Sequence, residues 1–524
     1  MPVRTNLRLN WMKIVPVVAL GAAITAGILH GATPSTTTSD PLYVKHPKVD
    51  PVEANGAIFE GWPKPDVALV FSGELDGYLE PCGCTGLENQ MGGLKRRFTL
   101  LQQLRDRGWP VVPVDAGGQE KATGVQAELK LDFAYQALTK MGYQAVGFGE
   151  NDLKMDLLPI VINLDEAANP LVSANVALGD FDSGLSKRYT IVEKGGLRIG
   201  ITTVLGKKQI AHLKNATDLK LLEPYQAIPE ILAKLRDAKC DHLVLLVNAE
   251  PEEAKDLARR FAEFDWVLAT HGAEVPPKEP AKIDGTKNSY LVEAGHKGTY
   301  AVVVGFYKSG KPSFRYQRVP LDHRFADAPE IHKMHVEYQR KLEALGLVGL
   351  ELKPIAHPTG RKFVGSKSCA ECHTNAAAVF EKTPHAHATE TLVKHSDPPR
   401  LFDPACLSCH VTGWEPQKYF PFESGYLGMA DTPDLVGNGC ENCHGPAAKH
   451  AAAENGEIEA TDAEMEELRA ALRLKIVDNE GNKTGQVYDK GKVVQMCMQC
   501  HDQDNSIDFD FQTYWPKVKH VGKD

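Results

Sequence analysis

The sequence has no excess of positive charge. Its 524 residues carry 59 Lys and Arg against 68 Asp and Glu, a formal net charge of −9 with histidine neutral. No basic stripe with interleaved aromatics is present, so nucleic acid is excluded as an expected partner. Long apolar runs are also scarce. The one that stands out is IVPVVALGAAITAGIL, residues 14–29, preceded by Arg4, Arg8 and Lys13. A basic stretch followed by an apolar one is an export signal. The run is short for a spanning helix, and no clean A-x-A cleavage site follows it. The sequence alone therefore leaves open a cleaved signal peptide or an N-terminal anchor with membrane association. Either reading places the remainder in the periplasm or otherwise outside the cytoplasm. The tract ATPSTTTSDP, residues 32–41, reads as a flexible linker.

Cysteine is sparse over most of the chain and then concentrated. Of 11 cysteines, eight lie beyond residue 365, in four repeats of one pattern: CAECH (369–373), CLSCH (406–410), CENCH (440–444) and CMQCH (497–501). C-x-x-C-H is the attachment signature of c-type haem. The thiols Cys369 and Cys372, Cys406 and Cys409, Cys440 and Cys443, and Cys497 and Cys500 would add to the porphyrin vinyl groups. The adjacent His373, His410, His444 and His501 would then be the proximal iron ligands. Chance would supply on the order of 0.01 such motifs in this composition. Zinc ribbons or disulfides would account for paired cysteines but not for a histidine after every pair. The expectation is four c-type haems, with redox proteins as partners.

Residues 363–524 contain five further histidines: His385, His387, His395, His450 and His520. They are enough for mostly bis-histidine ligation. Met496 and Met498 flank Cys497, at the porphyrin edge rather than over the iron. The order CAECH…TPHAHATETL…FDPACLSCHVTGW…GCENCHGPAAKH…CMQCH…YWPKVKH resembles the tetrahaem cytochrome c-554 family. That resemblance implies a mainly helical fold with stacked haems. It also implies distal roles for His385, His450 and His520, with His387 as an alternate for His385, and one haem that lacks a distal protein ligand.

The texture before residue 325 is different. Apolar runs such as VALVF (67–71), LRIGITTV (197–204), HLVLLVN (242–248) and WVLATHG (266–272) alternate with amphipathic helical runs. This argues a layered α/β domain whose chemistry sits just beyond the strand ends. The motifs FSGELDGYLEP, VDAGGQ, GYQAVGFGEND, LLVNAEP, ATHGAE and VEAGHKGTYAVVVGFY resemble, in order, those of calcineurin-like metallophosphatases of the 5′-nucleotidase branch. The resemblance implies a two-metal hydrolytic site, but the ligands have changed. Glu74 and Asp76 stand for Asp and His, Gly118 for the bridging Asp, Glu150 for the Asn ligand and Asn151 for the catalytic His. Asn248 stands for a later His, and Ala273 for the partner of His271.

Two cations held close together need a shared anionic ligand, which glycine cannot supply. Two-metal hydrolysis is therefore not expected. Glu74, Asp76, Glu150 and His271 would still make an oxygen-rich site for one additional divalent metal, or they are solvated acids and a structural histidine. Cys82 and Cys84 stand beside them in an EPCGC loop also found in a related branch of this group. A redox pair, a soft-metal site and a structural disulfide all remain open, and these two are the candidate catalytic residues. Cys240 reads as core, and His332 and His335 as linker surface.

The expected architecture is multidomain: an α/β layered metallophosphatase-like sandwich followed by a mainly α multihaem cytochrome c domain. The expected boundaries are a signal or anchor over 1–31, a linker over 32–64, the α/β domain over 65–325, a helical linker over 326–362 and the tetrahaem domain over 363–524. The functional expectation is an exported electron carrier. The alternative is a redox or hydrolytic, metallophosphoesterase-like enzyme that couples the altered metal or Cys-x-Cys site to the haems.

Overall fold

The structure is a computed structural model. It describes residues 50–82, 90–181, 184–309, 312–394, 396–474, 476–477, 487–488, 490–502, 504–506 and 509–523. The apolar N-terminal run, Cys84 and His395 lie outside the described residues. Among the described residues, no helix is long and apolar enough to cross a membrane.

The α/β part is built on the strands β1 (Val67–Ser72), β2 (Val111–Asp115), β3 (Ala145–Val146), β4 (Val176–Leu178), β5 (Thr190–Lys194), β6 (Leu197–Leu205) and β7 (Leu219–Leu221). It continues through β8 (His242–Asn248), β9 (Trp266–Ala269), β10 (Ala281–Lys282), β11 (Tyr290–Glu293), β12 (Tyr300–Phe306) and β13 (Phe314–Pro320). One sheet has the order β13-β12-β1-β2-β3, the other β10-β11-β9-β8-β6-β5, and β4 pairs with β7 apart from both. The first three strands run parallel, as do β6, β8, β9 and β11.

The continuous apolar runs read from the sequence are explained by burial on both faces. Along β1, Val67, Leu69 and Phe71 enter the core between the sheets, while Ala68 and Val70 face the outer helices. Along β8, Val244 and Leu246 point inward, and Leu243, Leu245 and Val247 point to the opposite outer layer. This is the period-2 alternation of a strand. The helices in chain order are α1 (Pro51–Asn55), α2 (Leu94–Asp106), α3 (Val125–Lys140), α4 (Leu157–Ile162), α5 (Lys207–His212), α6 (Pro224–Asp237), α7 (Pro251–Arg260) and α8 (Pro329–Gly349). Leu100, Leu104, Leu131, Leu138, Ile331 and Leu342 from α2, α3 and α8 cover the first sheet. Ile228, Ile231, Leu235 and Leu257 from α6 and α7 cover the second. The result is a four-layer sandwich of helices, sheet, sheet and helices, the metallophosphatase-like architecture.

The C-terminal part is mainly helical: α9 (Ser366–Cys372), α10 (Thr374–Phe380), α11 (Ala388–Lys394), α12 (Pro404–His410), α13 (Cys440–His444), α14 (Ala448–Glu454), α15 (Asp462–Leu472), α16 (Lys490–Cys497) and α17 (Phe511–Val518). Its apolar core is a small cluster around Leu407, Val411, Trp414 and Tyr426. So little buried apolar surface suits a segment whose interior is completed by bound groups. No residue of α15 is buried, so this acidic helix is a solvated face.

Helix α8 departs from its sequence reading. His335 is 4% exposed and packs edge-on against Phe133 at 6.1 Å between ring centroids. It is not linker surface. It meets a partner from far earlier in the chain, Glu80, which helical periodicity does not reveal.

Candidate haem sites and the altered α/β pocket

A helical Cys-x-x-Cys places both sulfurs on one face of the turn. Here α9, α12, α13 and α16 carry the first cysteine of each pair, and the following histidine closes the turn. In the outer repeats, the His373 and His501 amides donate to the carbonyls of Cys369 and Cys497, each at 2.9 Å.

The histidine rings then meet in pairs across long stretches of sequence. His373 and His450 have ring centroids 6.4 Å apart with planes inclined by 25°. His385 and His501 are 5.9 Å apart, and His444 and His520 are 5.8 Å apart. Two imidazoles bound on opposite sides of one metal, with bonds of about 2 Å, have centroids roughly 6 Å apart. These spacings fit the donor set of bis-histidine haem. His387 instead directs Nδ1 to Glu390 at 3.0 Å and Nε2 to the Glu381 carbonyl at 2.9 Å.

The ring orientations suit ligation. Nδ1 of His444 lies 2.8 Å from the Leu472 carbonyl, Nδ1 of His410 lies 2.7 Å from that of Ala388, and Nδ1 of His520 lies 3.0 Å from that of Val518. Nδ1 of His501 lies 3.0 Å from the Ser506 hydroxyl. A proton held on Nδ1 by such an acceptor leaves the Nε2 lone pair for the metal. Burial lowers the pKa values of His385, His410, His444 and His450, and pushes that of His501 down to about 4. The rings are therefore kept neutral, as ligation requires.

The attachment sites also touch one another. The thiols of Cys369 and Cys440 hydrogen-bond, as do those of Cys409 and Cys500, and Cys443 lies within electrostatic reach of Cys497. Numbered in chain order, the sites adjoin in the sequence first, third, fourth, second. A cavity of about 690 Å³ opens among the second, third and fourth, lined by Cys406, Cys409, His410, Cys443, His444, Cys497, Cys500 and His501. Replacing His450 with alanine is expected to turn one low-spin site high-spin and leave the other pairs intact. Electron paramagnetic resonance of the oxidised protein reads that change.

In the α/β part, the candidate residues follow the strand ends. Glu74 and Asp76 lie beyond β1, Gly118 beyond β2, Glu150 beyond β3, Asn248 ends β8, and His271 lies beyond β9. Glu74, Asp76 and His271 adopt positive φ values of 47°, 54° and 52°, a costly conformation for residues with side chains and one that gathers at functional sites. Glu74 is 6% exposed and accepts the His271 amide at 2.9 Å. Its two oxygens face His271 Nδ1 and His296 Nε2, each at 3.4 Å. Burial pushes the Glu74 carboxyl up to about 7 and, despite Lys121, His296 and Lys297, that of Asp76 up to about 6. His296 was missed by sequence reasoning. Its signal was there, since it follows β11 as the other candidates follow their strands.

Glu150 is turned elsewhere. It binds Lys154 Nζ at 2.5 Å and His212 Nδ1 at 2.9 Å. A side chain at Gly118 would enter the space between Glu74 and Asn248, with its Cβ 3.4 Å from the Glu74 Cα and 3.6 Å from Asn248 Nδ2. That space has no bridging carboxylate, and the Asn248 Oδ1 beside it is buried without a hydrogen bond. Among the described residues, no three His, Cys, Asp or Glu side chains gather as metal ligands. The four residues expected to share one divalent metal do not form a ligand set in this structure.

The loop after Glu74 runs to the haem sites. Glu80 is enclosed by Lys95 Nζ at 2.6 Å, His335 Nε2 at 3.2 Å and the Arg400 guanidinium. Burial works against its charge, but His335, Arg400 and Lys95 together hold its pKa at about 2. Asp403, next to the second attachment pair, accepts from Gln126 of α3 and Gln339 of α8, each at 2.8 Å. Lys297, beside His296, pairs with Asp504, three residues after His501.

Residues 368–445 match the family model of cytochrome c554 and c-prime. That segment is similar to c-type cytochromes of this family. Cytochrome c-554 of Nitrosomonas europaea is 36% identical over 96 residues, 16% of this chain and 38% of that protein. The earlier part is similar to the 5′-nucleotidase of Homo sapiens, 25% identical over 252 residues, 46% of this chain and 43% of that protein. The chain thus spans less than half the length of either relative. A solved 5′-nucleotidase precursor from Thermus thermophilus overlays with a TM-score of 0.45 at 19% identity, covering 53% of this chain and 59% of that one.

Proposed function

We propose that this chain is an exported tetrahaem c-type electron-transfer protein whose 5′-nucleotidase-like part has lost two-metal hydrolysis. The observation that carries the reading is the coincidence of four C-x-x-C-H repeats with histidine rings paired at bis-histidine spacing. The haem sites would be held by the eight paired cysteines and His373, His410, His444 and His501. His450, His385 and His520 would complete the first, fourth and third sites. When bound, the haems would supply one-electron chemistry; the chain would space them, and burial favours the neutral ring at His385, His410, His444, His450 and His501. Electrons would pass along the sites in their order of contact, toward the second site beside the α/β part. The basic and apolar N-terminal residues support a partner outside the cytoplasmic membrane.

For the α/β part, the exchange of the bridging Asp for Gly118 and the turning away of Glu150 favour loss of phosphoester hydrolysis. A second reading keeps the pocket as an enzyme site, because Glu74 titrates near neutrality between two imidazoles and so suits proton transfer. Metal analysis of the haem-loaded chain, run with phosphoester assays, separates the two. The carrier reading expects iron equal to haem, no further stoichiometric metal and no turnover. A second metal together with hydrolysis that disappears in Glu74→Gln would establish the enzyme.

A further inference from the structure

We propose that the α/β part tunes the reduction potential of the second haem site, because Glu80 of the α/β part and Arg400 beside the Cys406 attachment thiol form one buried ion pair whose opposite charges act on the bound group. This rests on the haem reading above. It gives the α/β part a role in electron transfer that does not depend on its own pocket. Arg400 lines the cavity of about 690 Å³ together with Cys406, Cys409 and His410 of the second site. Its side chain is 14% exposed, it hydrogen-bonds the Cys406 thiol, and Glu80 holds its guanidinium. Among the described residues its buried Nε has no hydrogen-bond partner, so neither water nor a full set of acceptors damps the charge.

The pair is fixed on both sides of the seam. Glu80 is also bound by Lys95 Nζ at 2.6 Å and faces His335 Nε2 at 3.2 Å. The next residue, Pro81, packs so closely on Gly93 that a Cβ there would lie 2.8 Å from its ring, and Cys82 then reaches the wall of the same cavity. From the other part, Asp403 caps α12 by accepting the Ala405 amide at 3.1 Å, and Gln126 and Gln339 hold it in place. Asp403 and Lys130 of α3 lie within electrostatic reach of Cys406, and Asp502 within reach of Cys409. Burial keeps His335 neutral. The charges around the second site are therefore Arg400, Lys95 and Lys130 against Glu80, Asp403 and Asp502.

A ferric centre carries one more positive charge than a ferrous one. A nearby cation therefore favours the reduced form, and a nearby anion favours the oxidised form. Water and salt would screen such charges at a surface. Here the Glu80 and Arg400 side chains are only 9% and 14% exposed, so their fields persist at the second site. Each member of the pair offsets the other. Removing one leaves the other unopposed, and the sign of the change depends on which is removed. A purely structural role gives no such reversal.

The test is an oxygen-free redox titration of haem absorbance in the full haem-loaded chain at about pH 8, above the ordinary histidine range. Glu80→Gln is expected to raise one midpoint and Arg400→Gln to lower the same one. Each shift should be about tenfold in the reduction equilibrium, or about 59 mV for one electron. Arg400→Lys keeps the charge and should stay near wild type. The component that moves should be the one missing when Cys406 and Cys409 are both replaced by serine. The proposal is overturned if no midpoint moves, if Glu80→Gln and Arg400→Gln shift it the same way, if Arg400→Lys shifts it as far as Arg400→Gln, or if a component of another site moves instead. Lys130→Gln leaves the ion pair intact and should lower the same midpoint, so poor folding of a pair variant does not shelter the idea. A midpoint unchanged or raised in Lys130→Gln also overturns it. Failure of the haem reading looks different, since covalent haem would then be absent altogether.

Discussion

Serine at both Cys406 and Cys409 should remove one covalent haem of the four from the chain. It should also cut the line of sites at the end that faces the α/β part. Both sulfurs of this pair open on the shared cavity, and Cys409 hydrogen-bonds Cys500 of the fourth site. Haem per chain, read from haem absorbance against protein mass after denaturation, should fall by about a quarter relative to the four repeats. The effect should extend beyond the missing group. Leu407 and Val411 of the same segment belong to the small apolar cluster that is the C-terminal part's own core. A segment with so little core draws stability from what it binds. The variant should therefore melt earlier and be cut faster by protease within residues 363–524, while the α/β part, with its three large apolar clusters, stays resistant.

Glu80→Ala should be the most damaging single change outside the haem motifs. It leaves Lys95 and Arg400 facing each other beside His335, with side chains only 7%, 14% and 5% exposed. Removing one member of a buried charged cluster costs about 3–5 kcal/mol, because the remaining charges stay desolvated. Chemical denaturation should show that loss. Arg400→Ala should cost less when added to Glu80→Ala than it does alone, since the two act on one interaction.

The same cluster sets a pH dependence. Glu80 titrates at about 2 in the folded chain, below its ordinary value of 4.5, so it binds fewer protons folded than unfolded. Its stabilisation is complete above about 4.5 and is lost as pH falls toward 2. Burial also lowers the pKa of His335, which adds a loss that begins as pH falls through the ordinary histidine range. Wild type should weaken steadily on acidification, and Glu80→Ala should show a shallower acid slope below about pH 4.5.

What the sequence disclosed follows from the range of each interaction. The strand runs Val67–Phe71 and His242–Asn248 were readable because burial on both faces imposes continuous apolar residues. The haem motifs were readable because attachment chemistry is local, with two thiols and a ligand inside five positions. The partner of each proximal histidine was not readable. His385 faces His501 and His373 faces His450, pairings that arise only when distant helices pack. Resemblance singled out His385, His450 and His520 without giving their opposite rings.

The seam between the two parts was less legible still. Glu80, His335 and Arg400 come from three segments; Glu80 sits in the EPCGC loop, whose motif does not name its partners, and His335 read as linker surface because one amphipathic face of a helix does not say what covers it. In the pocket, resemblance pointed to Glu74 and His271. Glu150 could be placed among them by order along the chain, but its side chain is held by Lys154 and His212 on the near surface. His296 fills the opposite side of Glu74 and escaped notice because it replaces no residue of the known pattern.

The central claim is that this chain carries four covalent haems in a line of sites, three of them with paired histidine rings. The most direct test is the intact mass of the chain, purified from cells with a working c-type maturation system and denatured before measurement. The account predicts a mass equal to the polypeptide plus four haems, with an in-gel haem stain that survives denaturation. A mass equal to the polypeptide alone, or to a chain whose eight C-x-x-C-H cysteines pair as disulfides, would contradict it.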